Sequence, residues 1–246
     1  MTFIKLRQVV FFASISLLAA CSTFERPAQN TVIKVSNDGP IQHEQSVPAL
    51  DPLTVKALQL HGEPNQYQLN KTVIPAQAKE QFKQALALKQ QGKLNEAQEL
   101  FLQLSKRYTT LSGPWLQLAD LSLLEAKDGE QSSARELAAK QLEKALVLNP
   151  HNYFAHNRLA ALLRRQGQFK QAEMHYQRAI ASWPGFAEAY LNKGILYDLY
   201  IGDKPQALEN YQLYQVLIDE PDRKVKGWIA DLGRQIKVEQ QEVAKQ

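Results

Sequence analysis

The sequence predicts an all-α protein, an α-solenoid of four repeated units closed by a C-terminal capping helix. Three observations carry the prediction. The chain from Ala78 onward repeats itself with a 34-residue period. Small side chains recur at two fixed places in the repeat, and large apolar ones at a third. Proline closes two successive units at the same place.

The register is set by units starting at Ala78, Ser112, Tyr153 and Ala187, spaced 34, 41 and 34 residues apart. The middle spacing is the same period with seven residues inserted around "AKDGEQS". Place 8 is small in every unit: Ala85, Ala119, Ala160 and Gly194. Place 20 is alanine once insertions are allowed: Ala97, Ala138, Ala172 and Ala207. Place 24 is large, held by Phe101, Leu142, Tyr176 and Tyr211. Pro150 and Pro184 close units two and three. The first unit lacks that proline and has Gln81 where an aromatic would stand at place 4. The fourth carries one extra residue and the bulky Tyr214.

This pattern resembles the tetratricopeptide repeat over most of residues 78 to 221. The third unit, "AHNRLAALLRRQGQFKQAEMHYQRAIASWP", carries the resemblance best. It implies two antiparallel helices per unit, A and B, in four repeats over 77–221 (78–111, 112–152, 153–186 and 187–221). The physics agrees. Small residues at places 8 and 20 let A and B approach closely, and the large residue at place 24 fills the gap to the next pair. Gly92, Gly167 and, one place late, Gly202 sit where a left-handed residue ends helix A. Proline after helix B stops it. Residues 222–246 place Val225, Trp228, Ile229, Leu232 and Ile236 on one helical face. An array needs such a terminal cap, so Trp228 is expected to pack on the fourth unit rather than to bind a ligand.

The N-terminus carries different information. Lys5 and Arg7 precede an uncharged apolar run from Val9 to Ala20. That run is too short to cross a bilayer, which takes about 20 residues. A basic start, a short apolar run and small residues before a cut make a signal peptide, here residues 1–20. Leu18-Ala19-Ala20-Cys21 resembles the lipobox of bacterial lipoproteins. The resemblance implies cleavage before Cys21, acylation of its thiol, and membrane attachment through that lipid. No second cysteine exists to pair with it. Ser22, where aspartate would favour inner-membrane retention, implies the outer membrane with the protein facing the periplasm.

Residues 21–76 read as the lipidated cysteine followed by a largely disordered tether. Pro27, Pro40, Pro48, Pro52, Pro64 and Pro75 interrupt it, and its apolar residues follow no helical or strand period. One piece, "LDPLTVKALQLHG", has helical character. Propensity alone favours a transient turn over a helix docked on the domain or on a partner.

Composition narrows the function. The formal charge of +4 falls to +2 once residues 1–20, with Lys5 and Arg7 and no acid, are removed. No clustered basic footprint with stacking aromatics marks a nucleic-acid binder. Phosphate-loop, dinucleotide and H-E-x-x-H motifs are missing, so neither an enzyme nor a cofactor is expected. The five histidines, His43, His61, His151, His156 and His175, lack metal-ligand spacing. His156 falls at a packing place, His175 reads as exposed or half-buried, and Ser112 reads as a helix cap.

The resemblance also implies a binding groove lined by helix A. Carried onto this chain, its places include Phe82 and Lys83, Leu116, Asn157, Arg158 and Arg164, and Glu188 and Asn192. Lys83, Asn157 and Arg158 are candidates to hold a carboxylate, although the full clamp of chaperone-binding relatives is absent. Arg164 and Arg165 serve equally well as part of a solvated face. The expected function is an adaptor or scaffold for protein partners of a cell-envelope assembly or transport complex, and the alternative is a self-associating scaffold without a dedicated ligand.

Overall fold

The computed structural model describes residues 51–69, 72–125 and 130–245. Contacts divide the chain at residue 47, and all described helices belong to residues 48–246. Cys21, the signal segment and the first part of the tether lie outside the described residues. No strand occurs among the described residues.

Eight helices form the four pairs: α3 (Ala76–Gln90) with α4 (Leu94–Arg107), α5 (Ser112–Leu124) with α6 (Gln131–Leu148), α7 (Tyr153–Arg165) with α8 (Phe169–Ser182), and α9 (Ala187–Leu196) with α10 (Lys204–Leu217). α11 (Arg223–Val243) follows, and α1 (Pro52–Gly62) and α2 (Gln66–Leu69) precede them.

The close approach of each pair comes from the small residues. Ala85, Ala97, Ala138, Ala160, Ala172 and Ala207 are fully buried, as is Phe101, Leu142 or Tyr176 at place 24. The fourth pair leaves no room at place 8. A Cβ added to Gly194 would lie 2.6 Å from two carbons of the Tyr211 ring, so glycine is required there. The turns obey the glycine expectation: Gly92, Gly167 and Gly202 have φ of 76°, 77° and 82°. After the first two, Lys93 N–H donates to Leu88 O and Gln168 N–H to Leu163 O, closing the last turn of helix A.

The two irregularities of the repeat take different forms. The extra residue of unit four is absorbed at the end of α9 as one π-helical turn, Tyr197–Ile201, which is why Gly202 comes one place late. The insertion in unit two partly lengthens helix B. α6 starts at Gln131, whereas α4 and α8 start at the place equivalent to Arg135. Ser112 departs from its expected role. α5 is capped at Leu111 with no side-chain bond, and the buried Ser112 hydroxyl instead accepts from Asn152 Nδ2 at 3.3 Å. Asn152 is itself the cap of α7, its Oδ1 accepting from Ala155 N–H at 3.1 Å.

α11 closes the array as its pattern requires. Val225 and Leu232 are buried with Tyr197, Ala207 and Tyr211, and Trp228 and Ile229 pack on that cluster. The Trp228 and Tyr211 rings lie 5.2 Å apart. Lys204 pairs with Glu239 farther along the helix.

The tether reading needs a correction over residues 51–69. The Asp51 carboxylate accepts from Leu53 and Thr54 N–H at 3.0 Å each, which starts α1. Ala57 is buried with Tyr190, Leu213 and Leu217 of the fourth unit, with Leu53 and Leu60 beside it. Lys56 pairs with Glu209 of α10 at 3.0 Å. Farther along, the Tyr67 ring meets Tyr153 of unit three edge-on at 5.8 Å. The chain then enters unit one at Ala76. The segment is therefore a strap running back along the array. Tertiary burial overrides the weak propensity of an isolated short helix.

Two tests follow. Gly194→Ala should cost about 1–3 kcal/mol by overpacking, read as a lower thermal midpoint. The loss should shrink in a Tyr211→Leu background, since leucine fills the same place opposite Ala119 in unit two. Ala57→Arg should release the strap. Hydrogen exchange should then speed up across 52–62 while α4 keeps its protection.

Candidate functional site on the A helices

The groove places lie on one set of helices, but their side chains have unequal roles. Phe82 is half-buried, with its ring 5.3 Å from Phe101 and against Gly113. Leu116 is buried in the central core cluster. Leu116 supports the face from beneath, whereas Phe82 packs on Phe101 and also lines an open cleft. Hydrophobicity at a groove place is ambiguous in sequence, because a large side chain can turn into the gap beside a small neighbour.

The polar residues form a ladder that joins all four A helices. Lys89 of α3 donates to Gln117 Oε1 at 2.9 Å and meets Asp120 Oδ2 at 3.4 Å on α5. Arg158 of α7 donates from Nε to Asp120 Oδ1 at 2.7 Å. Asn157, almost wholly buried, donates to Glu188 Oε2 at 3.3 Å and accepts from Asn192 Nδ2 at 3.2 Å, both on α9. Arg164 Nη1 donates to Asn192 O at 3.5 Å, with its guanidinium 5.5 Å from the Tyr200 ring centre. Asn157 and Arg158 are thus engaged by Glu188 and Asp120. A partner carboxylate must share or displace those contacts.

Lys83 stands apart. It is exposed and lines, with Lys79, Phe82 and Ile74, a largely apolar cleft of about 340 Å³. Neither lysine is ion-paired among the described residues. Arg165 is exposed at the end of α7. Among the described residues no group of three or more His, Cys, Asp and Glu is placed to hold a metal.

The sequence reading missed a histidine pair within unit three. His156 Nε2 lies 3.0 Å from Pro150 O, and its Nδ1 lies 3.0 Å from His175 Nδ1. A carbonyl only accepts, so Nε2 carries the proton and the neutral His156 accepts from His175 through Nδ1. Burial pushes His156 down to about 4, and the nearby His175, Arg178 and His151 add to the effect against the opposing Pro150 bond. Burial, then Arg178, lowers His175 as well. The only sequence signal was histidine standing in an aromatic's packing place, since spacing alone does not show that α7 and α8 bring these two rings together.

The sign of the pH dependence is fixed. Between about 4 and 6.5 the unfolded chain binds the His156 proton and the folded chain does not. The contribution is present above 6.5 and is lost as pH falls through that window. The thermal midpoint should drop over it, and His156→Gln should flatten the drop in a melting series.

Comparisons place this geometry among known proteins. Residues 142–174 and 81–110 each match a model of the tetratricopeptide repeat. Comparison with curated protein sequences returned no match. MamA (residues 41 to the end) from Desulfovibrio magneticus RS-1 is 20% identical, with a TM-score of 0.52 over 67% of this chain and 88% of that one. The Pseudomonas aeruginosa pilF structure is 18% identical, with a TM-score of 0.55 over 65% and 69%. TTC0263, a tetratricopeptide protein of Thermus thermophilus, is 19% identical, with a TM-score of 0.53 over 73% and 96%. At these identities the likeness is one of fold. With two stretches matching the repeat itself and the register seen in all four helix pairs, the fold is a tetratricopeptide-repeat α-solenoid.

Proposed function

We propose that this chain is a lipid-anchored scaffold of the bacterial outer membrane, facing the periplasm, that binds a protein partner of an envelope assembly or transport complex. The observation that carries the binding role is the ladder. It links the four A helices from Lys89 to Glu188, so the polar side chains on this side of the array are held in a fixed order. Stacked helix pairs present such faces to protein segments. The anchor reading rests on Leu18-Ala19-Ala20-Cys21. Among the described residues no helix is long and apolar enough to cross a membrane. Confinement near a membrane would raise the local concentration of the scaffold for its partner.

Self-association is the second reading, and one feature favours it. The π turn leaves Leu199, Tyr200 and Ile201 exposed at 69%, 43% and 43%. Units one and three have Gln90-Gln91-Gly92 and Arg165-Gln166-Gly167 at these places.

Crosslinking of the full chain in cells, followed by mass spectrometry, should recover an envelope protein. Recovery should fall several-fold with Lys83→Ala and Arg158→Ala combined. Self-crosslinks alone, equal in both samples, would decide for self-association. Cys21→Ser should abolish labelling by radioactive palmitate and shift the protein out of the membrane fraction. Retained labelling would sink the anchor reading.

A further inference from the structure

The insertion in unit two builds a cavity. The extra turn of α6 contributes Gln131 and Ala134 to the wall of a hollow of about 310 Å³ between units two and three. Arg135, Arg158 and Arg165 line it together, over an apolar surface that includes Leu123 and Leu162. Arg158 alone of the three has a counter-charge among the described residues, and that charge, Asp120, is shared with Lys89. Arg135 is half-buried and Arg165 exposed, and neither is ion-paired among the described residues.

Three guanidinium groups around one small hollow repel one another, and the half-buried one has lost part of its hydration. An oxyanion relieves both costs, and the guanidinium fork fits a carboxylate through two parallel hydrogen bonds. The apolar wall suits the hydrocarbon part of a short acidic side chain. We infer that this cavity seats a glutamate or aspartate side chain from within a partner protein's segment lying along the A helices. The inference rests on the protein-binding reading above and names the chemistry its partner must carry. The site differs from the Lys83 cleft because its wall comes from the lengthened helix B of unit two.

The test is fluorescence anisotropy on the full chain at low salt. The probe is a labelled peptide of alternating Leu and Glu, with a Leu and Gln peptide as control. The acidic peptide should bind, weaken as salt rises, and lose about tenfold in affinity on Arg135→Gln with Arg165→Gln. Lys237→Glu, an exposed change on α11 away from the A helices, should leave its affinity unchanged. Arg165→Gln alone changes an exposed residue and gives a folded variant with a smaller loss in the same direction. Absence of binding, equal binding of the Gln peptide, or an unchanged affinity in the arginine variants would overturn the inference. Displacement of the peptide by inorganic phosphate at equal concentration would also overturn it, assigning the cavity to free anions. Cellular crosslinks to a partner mapped elsewhere on the A helices would then keep the scaffold reading while this site falls.

Discussion

The structure depends on the distance between the two helices of each unit. Alanine or glycine at place 8 and alanine at place 20 remove the bulk that would hold the helices apart, and one large side chain at place 24 then seals the seam. Interiors are packed to near-crystalline density, so this arrangement has little slack. Gly194 shows how little. Tyr211 occupies the space its Cβ would need, and the Tyr211 hydroxyl still reaches Asp198 Oδ2 at 3.1 Å on the adjoining π turn.

An array held only by such seams is one-dimensional, each unit touching its neighbours. Two features of this chain add to that. The strap packs on the fourth unit through Ala57 and on the third through Tyr67 before the chain enters the first. The ladder joins successive A helices through Asp120 and Asn157. A partly exposed ion pair such as Arg158–Asp120 contributes about 0–1 kcal/mol, so its main effect is to hold register. The surface offered to a partner is consequently pre-formed, which lowers the ordering cost of binding.

The irregularities of the repeat sit where new surface appears. One extra residue in unit four yields a π turn and an exposed apolar knuckle, and seven in unit two yield a longer helix and an arginine-lined cavity. A regular repeat is constrained at every place by its neighbours, whereas an insertion is free to carry a function particular to one chain.

Much of the fold was legible before any coordinates. Places 8, 20 and 24, the three turn glycines and the apolar face of α11 are written in residue type and spacing, because close packing of helices tolerates few alternatives. What the sequence left open was decided by contacts between distant residues. Propensity gave 50–62 helical character but could not reveal that it persists as a docked helix, since it packs on Tyr190, Leu213 and Leu217. Spacing could not show that Leu116 turns inward, that Phe82 packs on Phe101, that Arg158 already holds Asp120, or that His156 meets His175. Those outcomes depend on which side chains face each other across helix pairs, and only the tertiary structure determines that.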